Sequence, residues 1–121
     1  MKIGVITGAS SGIGRCFAKE LDKKGLDCLW LIARREGRLA ELSEELKTPV
    51  KIMPLDLLKK ESFERYADEL SRHKPTVSYL VNCAGFGKMG SVEEVGIKST
   101  CDMIDLNVKA LAVMTQTTVP F

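Results

Sequence analysis

Apolar positions along this chain fall into two alternating patterns. Ile3 to Thr7, Cys28 to Ala33, Val50 to Pro54 and Val77 to Val81 are short apolar runs rich in branched residues, and they lack the in-out alternation of a half-exposed strand. They predict strands buried on both faces. Between them, Gly12 to Lys24, Glu36 to Lys47, Lys60 to His73 and a longer stretch from about Lys98 to Val119 are amphipathic and predict helices. In the first, Ile13, Phe17, Ala18 and Leu21 share a face, and Gly25 tolerates a left-handed C-terminal cap. In the second, Leu39, Leu42 and Leu46 repeat at helical spacing, with Glu41, Glu44, Glu45 and Lys47 on the solvated side. Strand alternating with helix in this way predicts parallel strands joined by right-handed crossovers, with helices on both faces of the sheet.

Composition narrows the partners. A chain of 121 residues holds one domain, spanning residues 1–121, and its 45% hydrophobic and 28% charged residues are those of a globular protein. No run approaches the ~20 apolar residues that cross a bilayer, and no long apolar leader precedes the glycine, threonine and serine residues after Ile6, so the expectation is a soluble, cytoplasmic protein. Eighteen basic against sixteen acidic residues, with no basic stripe, argue against nucleic-acid binding. Cys16, Cys28, Cys83 and Cys101 lie far apart and His73 is the sole histidine, which supports neither a metal site nor a disulfide framework.

The stretch TGASSGIG, Thr7 to Gly14, follows the first predicted strand and opens the first predicted helix. In that setting Gly8 allows a tight turn, Gly12 leaves backbone N–H groups facing outward, and Gly14 lets the helix approach the strand. A helix N-terminus carries partial positive charge and unpaired donors, so a pyrophosphate docks where no side chain intrudes. The expected visitor is the diphosphate of a dinucleotide.

The spacing of these glycines departs from GxGxxG and resembles the TGxxxGxG signature of the short-chain dehydrogenase/reductase family, along the whole chain in order. The resemblance implies a Rossmann-like doubly wound parallel sheet of strand order 3-2-1-4, incomplete relative to the family. It implies cofactor contacts at Thr7, Gly8, Ser10, Gly12, Ile13 and Gly14. After the second strand, Ala33 stands where an NAD-binding domain usually places an acid on the ribose 2′-hydroxyl, and Arg34 and Arg35 follow. A guanidinium matches a 2′-phosphate in fork geometry, so NADP(H) is expected rather than NAD(H), with Arg34 first and Arg35 second. Asp56-Leu57 matches the family pair whose carboxylate meets the adenine amino group; capping of the next helix is the plainer role for Asp56. Asn82-Cys83-Ala84-Gly85 resembles the family's NNAG, with Cys83 in place of the second asparagine, Ala84 and Gly85 along the nicotinamide ribose, and Asn82 bracing the sheet end.

On the long last helix, Met103, Ile104, Asn107, Leu111 and Met114 are expected on one face, which sets Asn107 as a polar residue in an apolar stripe. In the family the corresponding asparagine helps hold a water chain to the catalytic lysine. The tyrosine and lysine themselves have no counterpart here: Tyr66 is followed four positions on by Leu70 and Tyr79 by Cys83. The resemblance therefore implies the N-terminal, cofactor-binding half of an enzyme that interconverts a carbonyl and a secondary alcohol, inactive alone. The alternatives are a non-catalytic dinucleotide-binding or scaffolding module, or an interaction protein in which the glycine loop is incidental. With that strand order, the fourth strand is an exposed edge, and self-association through it or the last helix is expected.

Overall fold

The computed structural model describes all residues from Met1 to Phe121. Four parallel strands form one sheet in the order β3-β2-β1-β4, with β1 at Lys2–Thr7, β2 at Cys28–Ala33, β3 at Val50–Pro54 and β4 at Thr76–Asn82. Helices α1 (Gly12–Leu21), α2 (Glu36–Glu45) and α3 (Lys60–His73) connect them. After β4, α4 (Val92–Ile104), a π-turn at Asp105–Lys109 and α5 (Ala110–Thr118) run on without a break between them. This is the Rossmann-like order that the sequence implies.

Period-two alternation distributes β1 and β2 between two cores. Ile3, Val5, Trp30 and Ile32 point to one face, where Tyr66 and Leu70 of α3 and Ala110 and Met114 of α5 cover them. Ile6, Leu29, Leu31 and Ala33 point to the other, against Ala18 and Leu21 of α1 and Leu39 and Leu42 of α2. Tyr66 is fully buried and its hydroxyl pairs with Thr118 Oγ1 at 2.9 Å. Burial pushes its pKa up to about 12, so it is a structural phenol and not a proton donor at neutral pH.

Three expectations need correction. Only β1 and β2 are buried on both faces; β3 and β4 each have one neighbour and are half-exposed, Tyr79 most clearly. On α1 the buried face is Gly14, Ala18 and Leu21, while Ile13 is 70% exposed and Phe17 is exposed as well, because the helix docks through its small residues and turns the larger ones outward. A short helical turn that begins at Val92, capped by reciprocal hydrogen bonds between Ser91 and Glu94, precedes the expected last helix and is separated from it by a break at Gly96. The π-turn then adds a residue to the helical count, so positions before and after it no longer share a face. Met114 is buried, whereas Ile104, Asn107 and Leu111 are exposed.

Asp22, at the end of α1, ties the two ends of this layer together. Its carboxylate accepts the backbone N–H groups of Lys47 and Thr48, the latter at 2.8 Å, and its carbonyl accepts the Thr48 hydroxyl. Burial acts to raise its pKa, but the donated N–H groups of Thr48 and Lys47 outweigh that and hold it below the usual carboxylate value. The stabilisation is therefore complete above the unfolded-state pKa and is lost as pH falls through the lower folded-state value. Asp22→Ala is expected to cost about 1 kcal/mol in urea denaturation at pH 7, the low end for a charge-assisted contact because the site is half-exposed. The gap between variant and parent should close below about pH 4; a gap that stays constant with pH would refute the assignment.

Candidate functional site

Chain connections leave the C-terminal end of β1 in opposite directions, toward β2 and β3 on one side and toward β4 on the other. A crevice opens where the order reverses. A groove of about 480 Å³ lies there, lined by the loop after β1, the ends of β2, β3 and β4, and Leu106 of the π-turn. It brings together Gly8, Ser10, Gly12, Ile13, Gly14, Arg34, Asp56, Leu57, Ala84 and Gly85 of the expected residues. Thr7, Arg35, Asn82 and Asn107 lie outside its lining.

The three loop glycines are required for different reasons. Gly8 has φ +64°, and a Cβ there would lie 2.6 Å from the Cys83 carbonyl oxygen. Gly14 sits in the first turn of α1, where a Cβ would come within 2.1 Å of the Gly8 carbonyl oxygen. The helix start is thus seated directly on the loop backbone. Gly12 has φ +56° with open space beside it, so its constraint is backbone conformation alone. Between them the N–H groups of Ser10 to Gly14 have no backbone acceptor, the hydroxyl of the N-cap residue Ser11 makes no capping bond, and the first turn of α1 carries no acid. Such an open, positively polarised helix end suits a diphosphate.

Ala33 and Arg34, at the end of β2, line the groove together with Leu55, Asp56, Leu57 and Leu58, which follow β3. Arg34 is exposed and forms no ion pair. Arg35 serves as the N-cap position of α2. Asp56 is not the cap of α3, a position taken by Lys59; its Oδ1 instead accepts the Leu58 N–H at 3.0 Å, and its carbonyl accepts the Ser62 hydroxyl. These bonds fix the β3–α3 turn with the carboxylate on the groove wall.

The end of β4 is held by two clamps. Thr7, almost fully buried, accepts the N–H groups of both Cys83 and Ala84 through Oγ1, each at 3.1 Å. Asn82 donates through Nδ2 to Thr115 of α5, bracing the sheet end. Farther along, Asn107 accepts the Phe86 N–H at 2.9 Å and donates to the Phe86 carbonyl at 2.8 Å, and a Cβ on Gly85 would lie 2.6 Å from its Oδ1. That pairing leaves one N–H and one lone pair of the amide for a further partner. Cys83 lines the groove with its thiol pKa pushed up by burial, so it forms a neutral wall. Sequence reasoning did not assign Cys83, Phe86, Leu58 and Leu106 to the lining. The first three adjoin motifs that it found, whereas nothing in the sequence marks the π-turn that brings in Leu106.

Fold and groove together define a Rossmann-like α/β protein. A sequence model described as short chain dehydrogenase matches residues 2–121, and the chain belongs to that family. An uncharacterized oxidoreductase of Staphylococcus epidermidis is 32% identical over 120 residues, covering 99% of this chain and 52% of the relative. The chain spans about half the length of such relatives. Among solved structures, the alcohol dehydrogenase of the archaeon Thermococcus sibiricus, complexed with 5-hydroxy-NADP, matches with a TM-score of 0.86 at 32% identity, over 99% of this chain and 52% of its own. A short-chain dehydrogenase from Sphingobium yanoikuyae in complex with NADPH matches with a TM-score of 0.86 at 29% identity, over 99% of this chain and 48% of its own.

The two kinds of glycine constraint separate experimentally. Gly12→Ala is expected to cost about 1–2 kcal/mol, the ordinary penalty of a left-handed non-glycine residue. Gly14→Ala should cost more than about 4 kcal/mol or abolish folding, because backbone must move to admit the methyl group. Urea unfolding of both variants checks the order, and a larger loss at Gly12 would overturn it.

Proposed function

We propose that the groove holds NADP(H), and that this chain is the NADP-binding part of a cytoplasmic oxidoreductase interconverting a carbonyl and a secondary alcohol by hydride transfer. The observation that carries the reading is the pairing of an open helix N-terminus at Ser10 to Gly14 with Arg34, unpaired, at the end of β2. The first suits a diphosphate and the second a 2′-phosphate, and both line one groove. NADP(H) complexes among the similar structures support the choice.

In this reading the bound nicotinamide supplies the hydride chemistry. The N–H groups of Ser10 to Gly14 take the diphosphate, with the Ser10 hydroxyl as a further donor. Thr7 holds the end of β4 so that the backbone of Ala84 and Gly85 borders the nicotinamide ribose. Asp56 takes the adenine amino group beside the apolar side chain of Leu57. Asn107 steadies the loop through Phe86 and offers its remaining amide valences to water, its part in proton delivery. Neither tyrosine of this chain is the acid: Tyr66 is buried on Thr118, and Tyr79 lies on β4 with Cys83 four positions on. Residues beyond those in this chain are therefore assigned the proton transfer and the substrate, and the chain alone is expected to be inactive.

Titration with NADPH and with NADH, followed by nicotinamide fluorescence, tests the cofactor. Arg34→Asp should weaken NADPH binding by about 1–3 kcal/mol more than NADH binding. Equal losses for both would show that Arg34 does not read the phosphate.

The same reading extends to assembly. The open edge of β4 and the exposed Ile104, Val108 and Leu111 of the last helical stretch favour association of two copies through that edge or that stretch. Size-exclusion chromatography with light scattering should give at least a dimer of this chain, and a monomer at all concentrations would reject the interface.

A further inference from the structure

The last turn of α3 and the edge strand β3 meet over the Trp30 ring. Lys51 of β3 pairs with Glu69 Oε2 of α3, and its ammonium lies 5.2 Å from the centroid of that ring. His73, the sole histidine and the last residue of α3, packs edge-on against the same ring, with centroids 5.9 Å apart. Its Nε2 stands 3.2 Å from Lys51 Nζ and 3.2 Å from Glu69 Oε2. Arg72 takes the other oxygen of Glu69, Oε1, at 3.2 Å.

The Lys51–Glu69 contact has a particular place in the fold. Every other ion pair joins α1 to α2 or links residues three or four apart along the chain. This is the one ion pair that ties the sheet to a helix, and the strand it ties has a neighbour on one side only.

A neutral imidazole fits the arrangement. With its proton on Nδ1, Nε2 accepts from the Lys51 ammonium, which has three hydrogens to place and gives another to Glu69. Protonation reverses the contact. Nε2–H then faces Nζ donor to donor and charge to charge at the same 3.2 Å, while Glu69 Oε2 stays within reach as an acceptor. Lys51 is the freer of the two cations, because its ammonium ends a flexible four-carbon stem, whereas His73 is held against Trp30 and at i,i+4 spacing from Glu69. An imidazolium in the last turn of α3 is also favoured by the helix dipole. The other groups on these elements leave that choice unchanged: Arg72 stays on Oε1, Lys74 makes no ion pair, and burial pushes the Cys28 thiol, beside Lys51, up and keeps it neutral.

We infer that Lys51, Glu69 and His73 form a proton-operated latch on β3: with His73 neutral, Glu69 holds Lys51 and so the strand, and protonated His73 takes Glu69 and releases Lys51. Histidine is the side chain that changes charge between about pH 5 and 8. Glu69 stays ionised over that range, since the hydrogen bond from Lys51 outweighs burial and holds its carboxyl below the usual value.

A double-mutant cycle of Lys51→Met and Glu69→Gln, read by urea unfolding at about pH 8 and about pH 5.5, tests the latch. Coupling of about fivefold in the unfolding constant is expected at the higher pH and none at the lower, and in a His73→Gln background it should persist at both. Coupling that is equal at the two pH values in the parent, or that falls as far in the His73→Gln background, overturns the inference. If a variant of the cycle does not fold, side-chain NMR of Lys51 in the parent chain decides the matter. Its methylene protons, shifted by the Trp30 ring at the higher pH, should move to free-lysine positions at the lower one, and protons that keep their shift across the range overturn the latch.

Discussion

The contact on which this structure depends is one of main chain against main chain. Gly14 places the first turn of α1 against the Gly8 carbonyl so closely that a single added carbon would lie 2.1 Å from its oxygen. The close seat sets the direction of α1, and with it the exposure of the N–H groups from Ser10 to Gly14. Gly8 in turn lies against the backbone of Cys83 and Ala84, and Thr7 takes the N–H groups of the same two residues. One loop thereby positions both walls of the crevice beside β1. Dispersion and hydrophobic burial hold the layers together, but these backbone approaches decide where the opening lies.

Around that opening the chain spends its polar side chains on geometry. Asp56 fixes the β3–α3 turn, Asn82 ties β4 to α5, and Asn107 grips Phe86 through both functions of its amide. Each uses part of its hydrogen-bonding capacity on the chain, and Asp56 and Asn107 keep some for a ligand. Arg34 is the contrast: it makes no ion pair and lines two adjoining cavities.

Much of this was legible along the chain. The bounds of β2, β3 and α3 follow from periodicity to the residue, since each is a clean apolar run or a clean amphipathic stretch between breakers. Ten of the expected site residues line the groove because they lie on strand ends and in the loop after β1, positions that strand order alone brings together. What failed did so for identifiable reasons. On α1, hydrophobicity alone puts Ile13 and Phe17 inward, yet close docking favours the small Gly14 and Ala18 and turns the larger residues outward. Past β4, the break at Gly96 and the π-turn at Asp105–Lys109 leave no mark in periodicity, so a single helix with Asn107 on a buried stripe was the natural expectation. Asn82 braces the sheet end as expected, through Thr115, and Arg35 takes the N-cap position of α2, outside the groove lining.

By itself the sequence determined the alternation of strands and helices, the family, and the place of the glycine loop, because these rest on local spacing and on backbone freedom at particular positions. Tertiary structure alone decided which face of α1 docks, that Asn107 clamps Phe86, and that Lys51 of β3 meets Glu69 and His73 of α3. Those facts depend on close approach between residues distant along the chain, and such approach is set by the packing of whole elements rather than by the pattern within any one of them.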